Sequence, residues 1–260
     1  MNIIVCIKQV PNVTKVSWDA DGSLIRTGLP AIINPVDKNA IEAALQLKEK
    51  HGGKVTVISM GPDQVEEALR EALSMGADEA IQLTDKTFAG ADTWDTSYTL
   101  GVAIKMIGGF DLIITGVEAM DGNTAQVGPQ IAEYLGVPLL SYAVDIEVSG
   151  GKIKIKQKLG EVSRVLEASF PALVTVEKEL NEYRVMPIDK VLEAFEKDIP
   201  VWGANSIPAD IVNLGLKGSP TRLRKVFSPK LEKGKVEILQ GTPEEISRQL
   251  ADRLSAKFLI

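Results

Sequence analysis

Soft and imidazole ligands are almost missing from this chain, which has one cysteine, Cys6, and one histidine, His51, in 260 residues. A single thiol excludes an internal disulfide framework. Cys6 and His51 together cannot make up the three or four ligands of a usual zinc site, so no metal is expected and a reducing compartment, the cytoplasm, fits best. Charge of one sign is not gathered into blocks: 29 basic residues stand against 35 acidic ones, for a net charge of -6, which argues against a nucleic-acid partner. Long hydrophobic runs are also lacking. The start, MNIIVCIKQVP, has an apolar run of about five residues before Lys8, too short for a signal segment or a membrane span. His51 follows Lys50 at the end of a helical pattern and reads as a partner of the helix dipole. Cys6, inside an apolar strand, reads as a small buried hydrophobe able to line a ligand site from the strand end. No catalytic acid, base or nucleophile is expected, and neither GxxxxGK[ST] nor GxGxxG is present.

What the chain does have is 45% hydrophobic residues in an alternating βα rhythm, enough for one substantial core. Ile3 to Ile7, Val55 to Ser59, Ala80 to Leu83 and Leu112 to Thr115 read as buried strands. Between them, Asn39 to Lys50, Asp63 to Met75, Asp92 to Met106 and Thr124 to Leu135 read as helices, with glycines just past their ends. The predicted fold is α/β: a mostly parallel twisted sheet with helices on both faces, of the Rossmann-like adenine-nucleotide-binding kind. Two stretches depart from the rhythm. Lys15 to Arg26 places Asp21-Gly22 between alternating runs and predicts a hairpin, and Tyr142 to Val176 turns to period two around Gly150-Gly151, predicting antiparallel strands that finish the sheet. After residue 205 prolines punctuate a weakly periodic arm that ends in one helix, whose Thr242 and Glu245 form a capping box. The expected domains are 1–205, a nucleotide-binding domain, and 206–260, a C-terminal arm.

Open α/β sheets bind ligands outside the carboxyl ends of their strands. The loops that fall there are Lys8 to Val10, Asn34-Pro35-Val36-Asp37, Met60-Gly61-Pro62, Phe88 to Thr93, and Gly116 to Pro129. In the last, Asp121-Gly122 is followed by Asn123, Thr124 and Gln126 leading into a helix, which offers backbone and side-chain donors to a pyrophosphate. Taken alone such a loop is also compatible with an ordinary connection capped by Thr124. Four loops on one sheet edge favour an adenine-containing nucleotide.

VCIKQVP, NPVD at 34–37, VISMGP at 57–62, EALSMGADEAIQL at 71–83, GVEAMDGNTAQVGPQIAEYLG at 116–136 and PALVTVEKELNEYR at 171–184 together resemble the beta subunit of electron-transfer flavoproteins over nearly the whole chain. The resemblance implies a larger alpha subunit carrying one FAD and a second adenine nucleotide in this chain, either AMP or, in bifurcating members, a second FAD that accepts hydride from NADH. Asp37 stands where the AMP type commonly has Cys, and Gly90-Ala91-Asp92-Thr93 with Thr96 and Ser97 is similar to the GADTxxTS stretch of the bifurcating group. The same residues read equally as a helix N-cap. Val36 departs from the family, which often has an aromatic residue there. By resemblance the cofactor-binding residues are Cys6, Asn34, Pro35, Val36, Asp37, Met60, Asp92, Thr93, Thr96, Ser97, Gly116, Asp121, Gly122, Asn123, Thr124, Ala125, Gln126 and Val127. The implied acceptors are ferredoxin or flavodoxin and, through the alpha-subunit FAD, an acyl-CoA dehydrogenase-type partner. The stretch 181–197 matches a recognition segment in which Ile188 would enter a pocket of that dehydrogenase, while Val191, Leu192 and Phe195 anchor the helix at i, i+3, i+4 and i+7 spacing. An AMP-binding subunit without NADH chemistry is the alternative reading, and a stand-alone nucleotide sensor resembling universal stress proteins is another.

Overall fold

Strand β1 (Asn2–Cys6) buries Ile3, Ile4, Val5 and Cys6 on both of its faces, the mark of a strand covered on two sides. A computed structural model describes residues 1–12, 17–18, 24–25, 30–222, 224 and 236–259. In chain order follow β2 (Gln9–Pro11), β3 (Ser17–Trp18), β4 (Leu24–Ile25), β5 (Ala31–Ile33), α1 (Pro35–His51), β6 (Lys54–Met60), α2 (Val65–Met75), β7 (Glu79–Leu83), α3 (Thr93–Ile107), β8 (Leu112–Gly116), α4 (Val127–Leu135), β9 (Leu139–Ser149), β10 (Lys152–Leu159), β11 (Val162–Ser169), β12 (Ala172–Val176), α5 (Ile188–Glu196), β13 (Val201–Trp202), α6 (Gly215–Gly218) and α7 (Pro243–Ala256). Nine strands form one sheet in the order β11-β10-β9-β12-β8-β1-β6-β7-β13. The strands from β9 through β13 in that order pair in parallel.

The chain moves outward from β1 through β6 to β7, then returns to the other side of β1 to lay down β8. That reversal opens a crevice between the carboxyl ends of β1 and β8. Helices α1 and α2 pack one face of the sheet around Ile3, Val5, Val57 and Ile114. On the other face, α3 and α4 pack around Ile4, Ile58 and Ile113. The two helices on that face approach closely at Gly101, where a Cβ would lie 2.3 Å from the Tyr134 ring. Their N-termini therefore end side by side at the crevice.

Pro35 starts α1 at the first helical turn, where a missing N–H costs nothing. The α4 helix begins only at Val127, because Asn123 and Ala125 hold left-handed backbone (φ 46° and 52°) that a helix cannot include. The expected hairpin is present as the antiparallel β3–β4 pair, while its turn at Asp21-Gly22 lies outside the described residues. Gly150 and Gly151, both at positive φ (58° and 74°), make the β9–β10 turn. One expectation is corrected here: the period-two stretch finishes the sheet only through β11. Strand β12 turns back into the parallel centre between β8 and β9. All five of its residues are buried, and an unbroken apolar run of that length belongs in the middle of a sheet.

The chain falls into two units, Met1–Arg224 and Lys225–Ile260. The first runs through residues 206–222, of which Ile207 and Leu214 are buried in its core. In the second, α7 carries the capping box read from the sequence, with Thr242 Oγ1 accepting from the Glu245 amide and Glu245 Oε2 accepting from the Thr242 amide. None of its residues is buried. Among the described residues, no helix is long and apolar enough to cross a membrane.

Candidate functional site

Asp37 is the hub of the β1 side of the crevice. Its side chain is 5% exposed and lies at the first turn of α1. The Lys8 amide donates to Oδ2 at 2.7 Å, Asn34 Nδ2 donates to Oδ1 at 3.0 Å, and the Gly116 backbone adds a third donor. Gly116 has to be glycine, since a Cβ would sit 2.2 Å from Asp37 Oδ1. Asn34 then reaches the next loop, donating to the Glu118 carbonyl at 2.8 Å and accepting from the Met120 amide at 3.1 Å. Lys8 Nζ closes the ring on Asp121 at 2.6 Å. One carboxylate thus ties the ends of β1 and β8 to the start of α1. Burial pushes the Asp37 carboxyl up to about 7 against the pull of these donors. Burial, and secondarily the Asp37 charge, also push the Cys6 thiol up. A neutral thiol is no nucleophile, in keeping with the reading of Cys6 as a buried hydrophobe.

On the β8 side, α3 and α4 present their N-termini together. Asp92 caps α3 by accepting from the Trp94 and Asp95 amides at 3.0 and 3.1 Å, and its other oxygen accepts from the Thr221 amide and hydroxyl at 2.9 and 2.6 Å. Both oxygens are thus used within the protein, and Asp92 braces the site. Thr93 Oγ1 donates to Gln126 Oε1 at 2.9 Å, and Ser97 Oγ lies 3.0 Å from Gln130 Oε1. These contacts couple the two helix starts. Between Asp121 and Val127, the turn amides of Gly122 and Asn123 go to the Ala119 carbonyl. Among the described residues the amides of Thr124 to Gly128 have no protein acceptor. They lie at the positive end of α4, in a loop whose alternating backbone makes a concave nest. Gly128 lets the first turn of α4 rest on the sheet, where a Cβ would meet Thr115 Oγ1 and Thr175 Cγ2 at 2.8 Å each. Such a nest is complementary to a phosphate or pyrophosphate.

The expected site residues fall into these two groups. Cys6, Asn34, Pro35, Asp37, Gly116 and Asp121 gather around the Asp37 hub. Asp92, Thr93, Ser97, Gly122, Asn123, Thr124, Ala125, Gln126 and Val127 gather around the paired helix starts. Thr96 is half-buried on α3 beside them, with its amide donating to the Asp92 carbonyl. Met60 lies at the end of β6, lining a cleft with Lys8, Gln9 and Pro62. Val36 packs against the core under α1. Lys8, Ser219 and Thr221 were not among the expected ligands. A cation directly after the first strand was a legible signal for Lys8, whereas Ser219 and Thr221 arrive from a distant loop that no local pattern connects to Asp92. Asp95 is fully buried, one of its oxygens lacks a partner, and burial pushes its carboxyl up to about 6.

A second surface lies on α5. Ile188 is 81% exposed, as read from its place after Pro187. The expected anchoring by Leu192 and Phe195 is overturned, for they are 66% and 67% exposed on the same face. Val191 is half-buried, and Ala194 is the one buried residue of the helix. The i, i+4, i+7 stripe of α5 therefore faces solvent. Arg70 lies over the Phe195 ring at 5.5 Å.

Residues 21–206 match the family described as "Electron transfer flavoprotein domain". Over 261 residues, covering all of both chains, the sequence is 48% identical to the electron transfer flavoprotein subunit beta of Clostridium acetobutylicum. It is 42% identical over 262 residues to the caffeyl-CoA reductase-Etf complex subunit CarD of Acetobacterium woodii, again covering all of both chains. To the acryloyl-CoA reductase electron transfer subunit gamma of Anaerotignum propionicum it is 39% identical over 268 residues, with both chains fully covered.

Proposed function

The chain belongs to the electron transfer flavoprotein family as a beta subunit, and from that premise we propose that it holds an FAD at the β1/β8 crevice and works as a cytoplasmic heterodimer with an FAD-carrying alpha subunit. In this reading electrons enter from NADH and leave in two directions, to ferredoxin or flavodoxin and, by way of the alpha subunit, to an acyl-CoA dehydrogenase-type acceptor. Bound there, FAD supplies hydride acceptance and the release of electrons one at a time. The observation that carries the reading is the nest at Asp121 to Gly128, whose free amides and positive helix end suit a pyrophosphate. Asn123 and Thr124 would donate to its oxygens, with Thr93 and Ser97 close by at the α3 start. Asn34 and Asp37 act from behind, fixing the loop in place.

Asp37, where the AMP type commonly has Cys, favours FAD over AMP. Two relatives bear names of CoA-ester reductase systems, which supports an acyl-CoA dehydrogenase-type acceptor. The solvent-facing stripe of Ile188, Leu192 and Phe195 is a suitable docking surface for it, with Ile188 as leading anchor. Family membership sets aside the stand-alone sensor. Nucleotide extraction from the reconstituted heterodimer is expected to yield about two FAD and no AMP, and NADH is expected to bleach the flavin. One FAD with one AMP and no bleaching would establish the AMP-type carrier instead.

A further inference from the structure

Helix α5 has almost nothing beneath it. With Ala194 as its one buried residue, the apolar area removed from water is small, and at about 25 cal/mol per Å² such burial cannot fix a helix in one orientation. Polar clamps at its two ends take over that task. Ahead of α5, Arg184 forks onto Glu42 of α1, with Nε to Oε2 at 2.8 Å and Nη2 to Oε1 at 3.0 Å. The Arg184 amide also donates to Oε2 at 3.2 Å, and Nη1 reaches Glu49 at 2.7 Å. Glu42 is 4% exposed, so this carboxylate relies on Arg184 for its charge partner. Asn39 and Asn181 add a reciprocal pair, Asn39 Nδ2 donating to the Asn181 carbonyl at 2.7 Å and Asn181 Nδ2 to the Asn39 carbonyl at 3.1 Å. Behind α5, Arg70 Nη1 of α2 donates to the carbonyls of Ala194 and Lys197 at 2.8 and 3.2 Å. Lys197 Nζ donates in turn to the carbonyls of Ala77 and Asp78 at 3.0 and 3.2 Å.

Both clamps end on helices that start at the crevice. Asn34 and Asp37 stand at the beginning of α1, and α2 follows the Met60 loop. We infer that Arg184 is a positioning residue that, through Glu42 and Glu49, sets the docking face of α5 in a fixed place relative to the nucleotide site. The inference rests on the docking role assigned above to α5. A helix held in its bound orientation binds a partner without first being ordered, so the clamp acts on affinity for the dehydrogenase. Lysine in place of Arg184 keeps the charge but loses the planar fork.

The test uses the heterodimer with a purified short-chain acyl-CoA dehydrogenase as acceptor, titrated against Arg184→Lys and the double variant Glu42→Gln/Arg184→Gln. The double variant removes both charges together and leaves no buried ion unpaired, and Arg184→Lys keeps a cation over Glu42, so at least one folded protein is available. The dehydrogenase concentration giving half-maximal electron transfer is expected to rise about tenfold in the double variant and by an intermediate factor in Arg184→Lys. Maximal rate, flavin content and melting temperature of the lysine variant should match the parent, a KM-against-kcat split that a general loss of stability does not produce. Ile188→Ala checks the docking role itself. If Ile188→Ala raises the half-saturating concentration and both clamp variants leave it at the parent value, the positioning role is overturned and the docking face stands. Parent values in all three variants would overturn the docking face as well.

Discussion

Asp37 makes the site's chemistry dependent on pH through its burial. Its folded carboxyl titrates at about 7 against an ordinary 3.8, so the folded chain holds that proton more tightly than the unfolded chain does. The resulting stability is fully present below the unfolded value and is lost as pH rises through about 7. Asp95, pushed up to about 6 by burial, acts in the same sense. Glu42 is the reverse case: its partner Arg184 holds it below its ordinary value, so its contribution is lost only in acid. Urea unfolding of the parent is therefore expected to show lower stability at pH 8 than at pH 5, by an amount on the order of a few kcal/mol. Asp37→Asn should flatten that slope, and an unchanged slope would show that Asp37 is not its source. On the other side of the crevice, Asn123 sits at φ 46°, which asparagine and glycine tolerate better than alanine. Asn123→Gly with Thr124→Ala thus removes two side-chain donors without forcing the backbone. Each charge-assisted bond contributes about 1.5–3 kcal/mol, so the heterodimer is expected to lose its beta-chain nucleotide on gel filtration. Retention at the parent level would show that the backbone amides alone hold the anion.

Elements differ in how far the sequence announces them. The strands at Ile3, Val55, Ala80 and Leu112 and the helices ending at His51, Met75 and Ile107 lie within a few residues of their expected bounds, because buried apolar runs and terminal glycines act locally. The loop cradle was legible for the same reason: Asn123, Thr124 and Gln126 form one continuous segment. Strand β12 was misassigned because a neighbouring period-two stretch hid a five-residue buried run, and pairing partners are not written into a strand's own residues. Helix α5 shows the limit most plainly. Its apolar period identifies one face, yet whether that face meets the sheet or solvent depends on Glu42 and Arg70, which are distant in sequence. Because Ile188 is exposed, Ile188→Ala should leave the melting temperature nearly unchanged, in contrast to the roughly 2–5 kcal/mol cost of truncating a buried isoleucine. Electron transfer to the dehydrogenase should slow several-fold at subsaturating acceptor. A melting point lowered as for a core truncation would return Ile188 to the interior of the fold.

At the scale of the whole molecule, the last 36 residues, Lys225–Ile260, form a unit whose one long helix buries nothing. The α7 helix is well begun, with Thr242 and Glu245 capping each other, Pro243 in its first turn, and Glu244 and Glu245 facing the positive end of the helix dipole. Local preference alone rarely sustains a helix of 14 residues in water, and most helices are stabilised by burying an apolar face. Here Ile246, Leu250 and Leu254 recur at i, i+4 and i+8, and Val236, Ile238, Phe258 and Leu259 flank them exposed. An apolar set of that kind on a chain that pairs with another subunit is best explained as half of an interface, and we assign its other half to the alpha subunit. Obligate heterodimer interfaces commonly exceed about 2,000 Å², more than one docking helix supplies, so the arm is expected to contribute to assembly and not to chemistry. Deleting Gly241–Ile260 should therefore weaken heterodimer formation, seen as a lower yield of alpha subunit on co-purification and a lower melting temperature of the complex. Nucleotide held by the truncated chain should be unaffected, since every residue of the cradle lies before Pro129. Co-purification in equal ratio with an unchanged melting temperature would show that α7 is covered by something other than the alpha subunit.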